Sequence, residues 1–253
     1  MKSQRIGIAL GGGGSRGFAH LGVLEALREK GIFPDVIAGT SAGSIVGALM
    51  AAGKTPGEIM SIMKENKLGD YAKIGLPTEG FMSLDGLKEQ LESTLPSDDF
   101  HQLKHKLIVA VSNLLTGQVE YLSEGSISLA VQASSSIPIL FSPVEINGQW
   151  YVDGGLLDNL PVKPLLDVCD KIIAVDVMPL EKLEKLDGIT EVAARVFQIS
   201  VVSRPDEHMD DCDLVIRLEE LENYQILDTD HADEIYEIGY NYVKNLDLSA
   251  LSS

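Results

Sequence analysis

The stretch VIAGTSAGSIVGALMAAG, residues 36–53, decides how this chain is read. Val36, Ile37 and Ala38 suit an extended strand, while residues 44–52 suit a helix that Gly53 stops. Between them stands Gly39-Thr40-Ser41-Ala42-Gly43, which fits G-x-S-x-G. In that strand-to-helix turn a serine sits at a strained bend with its Oγ aimed out of the sheet. The glycines on either side remove Cβ atoms that would collide in so tight a turn. A lone G-x-S-x-G also arises as a chance small-residue turn, so its surroundings carry the argument.

Upstream, RIGIAL reads as a strand, the four glycines at 11–14 as a turn, and FAHLGVLEALREKG as a helix. The helix places Phe18, Leu21, Val23, Leu24 and Leu27 mainly on one stripe and ends at Gly31. Strand, helix, strand, helix within 53 residues implies parallel strands joined by crossovers. Both glycine-bearing turns then leave the C-terminal ends of parallel strands and open on the same edge of the sheet.

Downstream, KLIVAVSNLLTGQVEYLS predicts a hairpin about Thr116-Gly117, and EINGQWYVDGG a second one about Asn147-Gly148. KIIAVDV and DLVIRLE are further strands, and HADEIYEIGYNYVKNL is a closing helix. Residues 54–105 contain two amphipathic helices, PGEIMSIMKENK and LDGLKEQLESTL. These could cover the mouth of a site or cover the sheet with no gating role. No repeat, low-complexity tract or linker divides the chain, so residues 1–253 are expected to form one domain.

Composition narrows the function. At 45% hydrophobic the 253 residues can bury a large core. No run approaches the roughly 18–20 apolar residues of a membrane span, and the apolar run at the start is too short for a secretory signal. A cytoplasmic location is expected. Cys169 and Cys212 have no metal or CxxC spacing and read as reduced, structural thiols. Formal charge is −18, and residues 181–253 hold 18 acidic against 6 basic residues, a local net of −12. That field argues against nucleic-acid partners and against electrostatic docking on anionic membranes. The acidic C-terminal part reads as a solvated surface.

Gly12, Gly14 and Gly17 satisfy G-x-G-x-x-G, a pattern shared with dinucleotide sites. The Rossmann alternative needs an acidic residue at the far end of the second strand. Here Asp35 stands at its start, and Thr40 and Ser41 occupy the far end. A P-loop is excluded because no Gly-Lys-Ser/Thr follows. The other use of clustered amides is to hold the oxyanion of acyl transfer, where one lost donor costs about 2.7–4 kcal/mol of transition-state stabilisation.

A serine needs a base. His101 and His105 lie in a polar stretch, His208 in an acidic loop, His231 near a helix start and His20 within the first helix, and none has the setting of a catalytic base. Asp153 does: WYVDGGLLDNLPV places it at a strand end before Gly154 and Gly155. Partial burial can raise a carboxylate's pKa toward working pH and make it a base on its own. Asp158 is the second choice, although DNLP reads more naturally as turn or capping chemistry.

Four blocks together, GGGGSRGFAHLGVLEAL, GTSAGSIVGA, ASSSIPILFSPV and DGGLLDNLPV, resemble the patatin-like phospholipases, particularly their small bacterial members. The blocks span roughly residues 6–165. The resemblance implies a three-layer α/β/α sandwich around a mainly parallel sheet. It implies a Ser-Asp dyad with Ser41 as nucleophile and Asp153 as base, and an oxyanion hole from the amides of Gly12, Gly13 and Gly14. Arg16 matches the family's basic residue in that loop, serving either structure or an anionic head group. Gly11 stands where many relatives carry Asp or Ser. Gly17, Gly39, Gly43, Gly154 and Gly155 support the glycine loop, the elbow and the turn after Asp153. The implied substrate is a lipid ester or lysophospholipid, met in transient contact with a membrane surface, with no cofactor or metal. The competing classes are a nucleotide-binding Rossmann-type protein and a non-catalytic regulatory protein using the acidic C-terminal part as a partner surface.

Overall fold

The computed structural model describes residues 4–65, 73–74, 82–180, 182–183, 185–186, 188–203, 208–227, 229–248 and 251. In chain order the elements are β1 (Ile6–Leu10), α1 (Phe18–Glu29), β2 (Val36–Gly39), α2 (Ala42–Ala51) and α3 (Pro56–Glu65). A short ribbon of β3 (Lys73–Ile74) and β4 (Met82–Ser83) precedes α4 (Asp85–Thr94) and β5 (Lys106–Asn113). Then come β6 (Gln118–Leu122), α5 (Ile127–Ser134), β7 (Val144–Ile146), β8 (Gln149–Asp153) and β9 (Lys171–Asp176). The chain continues through α6 (Ile189–Val202), β10 (Leu214–Arg217) and α7 (Ala232–Lys244).

Eight strands form the central sheet in the order β10-β9-β1-β2-β5-β8-β7, with β6 also on β5. The pairs from β10 to β5 are all parallel, whereas β6 and β8 run antiparallel to β5. Both expected hairpins form. Asn147 and Gly148 take φ 52 and 78 between the paired Ile146 and Gln149, as a two-residue hairpin turn requires.

The central strands are buried on both faces, which explains their near-continuous apolar sequence. Ile8, Leu10, Ile37, Val109 and Val175 point into the larger core, shared with α1, α2, α5 and α7. Alternate residues, Ala9, Ala38, Ile108 and Ala174, meet a thinner layer built from Leu160, Val162, Leu165 and the turns around Met209. Smaller side chains on that face suit the closer cover. The fold is thus α/β, a mainly parallel sheet covered on both sides.

Pairing around β5 decides the geometry of the site. Val109 pairs with both Gly39 of β2 and Leu122 of β6, and Val111 pairs with both Glu120 of β6 and Asp153 of β8. Since β6 opposes each of them in turn, β2 and β8 share the other edge of β5, end to end. Their C-terminal residues, Gly39 and Asp153, therefore meet head to head.

Of the two helices expected in residues 54–105, the second is α4, and the first is described as far as Glu65; Asn66 and Lys67 lie outside the described residues. Helix α5, which carries Ser134, and helix α6 are not legible in the sequence pattern. No helix among the described residues is long and apolar enough to cross a membrane.

Candidate active site

Ser41 joins β2 to α2 with φ 51 and ψ −122. Such a conformation costs a non-glycine residue about 1–3 kcal/mol and persists only where its surroundings hold it. Here the Ser41 N–H donates to Ser134 Oγ at 2.9 Å, and Ser134 Oγ donates to the Ala110 carbonyl at 2.7 Å. On the helix side the Ser44 N–H and hydroxyl both donate to the Ser41 carbonyl, at 2.8 and 2.6 Å. A Cβ on Gly43 would strike the Leu10 carbonyl, and one on Gly39 the Gly43 carbonyl. The flanking glycines are thus demanded by backbone contact with β1 and within the turn itself.

Asp153 is fully buried at the end of β8. Its N–H donates to the Ser136 carbonyl at 2.9 Å, and its Oδ1 accepts from the Gly155 N–H at 2.8 Å. Oδ2 has no hydrogen bond of full geometry among the described residues. Burial pushes the carboxyl up to about 7, against which the Gly155 amide and the Ser41 hydroxyl favour the ionised form. Gly154 passes so close to the Ala110 carbonyl and Thr40 that it has no room for a side chain.

The glycine loop is locked to the Asp153 turn through Asn159. The Gly12 N–H donates to the Asn159 carbonyl at 3.1 Å, and Asn159 Nδ2 donates to the Gly12 carbonyl at 3.2 Å. A Cβ on Gly12 would lie 3.1 Å from Ser41 Cβ, so this residue faces the serine. Its amide, however, is already engaged. Among the described residues the amides of Gly13, Gly14 and Ala42 have no acceptor, the last being the first N–H of α2. Gly17 packs against Ala42, holding loop and elbow together.

Arg16 is wholly buried. Its Nε donates to the Tyr224 carbonyl at 2.8 Å and a terminal nitrogen to the Pro179 carbonyl at 2.7 Å. Of its two expected uses, these contacts serve structure, tying the loop to the C-terminal part of the chain. His20 is also buried, with Nε2 2.8 Å from the Gly11 carbonyl, and burial lowers its pKa to about 4. His208 and His231 are paired with exposed Asp211 and Glu234 at the surface. Asp158 Oδ2 accepts from Tyr121 Oη at 2.6 Å, and its carbonyl accepts from Thr40 Oγ1 at 3.0 Å. Asp35 lies at the opposite end of the sheet, bonded to the Ile6 backbone.

Ser41 opens into a cleft of about 710 Å³, open mouth included, walled by Phe18, Ile45, Met63, Leu87, Ile137 and Phe141. Met63 of α3 and Leu84 and Leu87 at α4 show that the 54–105 segment forms one wall, and Leu227 and Thr229 form another. An uncharged, largely apolar cleft suits an acyl chain.

A sequence model of the family described as Patatin-like phospholipase matches residues 8–166. The chain belongs to that family. The patatin-like span runs from β1 past Asp153 and so takes in the glycine loop, the elbow and the Ser134–Ser136 segment. Lysophospholipase NTE1 of Candida glabrata is 31% identical over 96% of this chain. An NTE family protein of Mycobacterium tuberculosis is 32% identical over 76% of it. The chain spans 16% of the first relative's length and 54% of the second's. Among solved structures, VipD from Legionella pneumophila shares the fold, with a TM-score of 0.54 at 16% identity over 98% of this chain and 67% of VipD.

Sequence reasoning assigned no role to Ser134, Ser136 or Asn159. The run ASSSIP was visible, but nothing local says that one serine holds the elbow and another the Asp153 backbone.

Proposed function

We propose that this patatin-like chain is a serine acyl hydrolase of the phospholipase A or lysophospholipase kind, cleaving carboxylic esters of lipids with a Ser41–Asp153 dyad. The observation that carries the reading is the meeting of a strained, externally braced serine with a fully buried carboxylate whose second oxygen is uncommitted. The apolar cleft at Ser41 and the lysophospholipase names of relatives that match nearly the whole chain support a lipid substrate.

In this reading Asp153 Oδ2 takes the Ser41 proton as Oγ attacks the ester carbonyl. The amides of Gly13 and Gly14 hold the oxyanion, with that of Ala42 as a third donor. The protonated carboxyl then gives its proton to the departing alkoxide, leaving an acyl-serine. Water, deprotonated by Asp153, releases the fatty acid and restores Ser41.

The test is hydrolysis of short p-nitrophenyl esters and of mixed phospholipids and lysophospholipids, together with fluorophosphonate labelling of Ser41. Ser41→Ala is expected to abolish all three. Full turnover by that variant would refute the assignment, and an undiminished Asp153→Asn would return the base to the histidines.

A further inference from the structure

Helix α6 is apolar on two opposite sides. Toward the sheet it buries Ala193, Ala194, Phe197 and Val201, and the Phe197 ring lies against Gly155, next to Asp153. Facing outward, Ile189, Val192, Val196, Ile199 and Val202 are exposed by 77, 38, 59, 43 and 40%. At about 100° per residue these five fall on one stripe, opposite the buried one. An amphipathic surface helix carries polar residues there.

The stripe borders a groove whose apolar lining is Leu183, Leu186, Ala194, Ile226 and Leu227 and whose polar lining includes Lys185, Glu191 and Arg195; Leu227 also lines the Ser41 cleft. The groove beside the exposed helix face and the Ser41 cleft thus adjoin at Leu227. The only charges on α6 are Glu191 and Arg195, a net of zero inside a part of the chain whose net is −12.

We propose that the outer face of α6 docks on the surface of an uncharged or zwitterionic lipid assembly, presenting the groove that adjoins the Ser41 cleft at Leu227. This rests on the lipid-ester reading above. A second copy of the chain fits the face poorly. Fourteen residues make a helix about 21 Å long and its face about 10 Å wide, roughly 200 Å² against the ~800 Å² per partner of a stable dimer. Two chains of −18 each would also repel. The same charge disfavours an anionic bilayer, whereas a neutral lipid surface carries no such penalty.

Flotation with phosphatidylcholine vesicles tests the surface, using the Ser41→Ala chain so that binding is read without hydrolysis. The parent is expected to float with the vesicles. Val196→Gln with Ile199→Gln, which changes no charge, is expected to weaken partitioning about tenfold, while Val196→Leu with Ile199→Leu keeps it. With Ser41 present, the glutamine pair lowers hydrolysis of vesicle lipid by a similar factor and leaves a water-soluble short-chain ester unaffected. A parent that does not float, or a glutamine pair that floats equally well, overturns the proposal. So does sedimentation showing that the pair splits a dimer, which would assign the face to a second copy. A chain that floats as described but hydrolyses neither ester upholds the docking surface and refutes the catalytic reading alone.

Discussion

Ser41 and Asp153 meet because the strands that deliver them, β2 parallel and β8 antiparallel, end against each other along one edge of β5. Neither residue is near the other in sequence. Their backbones are held by a third segment, the end of α5 and the residues just after it, since Ser134 takes the Ser41 N–H and the Ser136 carbonyl accepts the Asp153 N–H.

Burial sets the working pH. With Asp153 raised to about 7, the carboxyl must ionise before it can accept the Ser41 proton. For a soluble ester, kcat/KM is expected to rise with pH through a single ionisation near 7 and to fall about tenfold per unit below it. A profile flat from pH 5 to 8 would show that Asp153 is not the base.

The same burial costs stability. Between the ordinary carboxylate value of 3.8 and about 7 the folded chain holds this proton more tightly than the unfolded one. The contribution is therefore full below about pH 4 and is lost as pH rises through 7, on the order of 4 kcal/mol. Asp153→Asn keeps the shape and an acceptor for the Gly155 N–H but never ionises. Its urea midpoint is expected to exceed that of the parent at pH 8, with the gap closing toward pH 4.

Ser134→Ala removes the hydroxyl between the Ser41 N–H and the Ala110 carbonyl, leaving two buried polar groups unpaired. A loss of about 1–3 kcal/mol is expected. If the bond holds the elbow, kcat falls while KM changes little. Denaturant unfolding and steady-state kinetics on one preparation separate these effects, and an unchanged kcat would remove Ser134 from the positioning of Ser41.

Arg16 gives a contrast between its two expected uses. Its nitrogens donate to the Pro179 and Tyr224 carbonyls, so Arg16→Met strands both acceptors and lowers stability by several kcal/mol. Residual turnover of neutral and anionic head-group esters is expected to fall in equal proportion. A selective loss on anionic esters would assign Arg16 to the head group instead.

What the sequence determined by itself is local. The elbow at 39–43, the two glycine-turn hairpins, the near-continuous apolar runs of the central strands and the separate local settings that mark Ser41 and Asp153 as candidates each rest on residues close together in the chain. Turn geometry and strand period depend on such neighbours. Only the tertiary structure decided that β2 and β8 abut on β5, that Asp153 is dry, that Asn159 occupies the Gly12 amide and that α6 shows an apolar face to solvent. Edge sharing and burial are set by contacts between residues far apart in the chain, from 42 positions for Val111 and Asp153 to 147 for Gly12 and Asn159, and the free energy of those contacts leaves no mark on the short-range pattern of either partner.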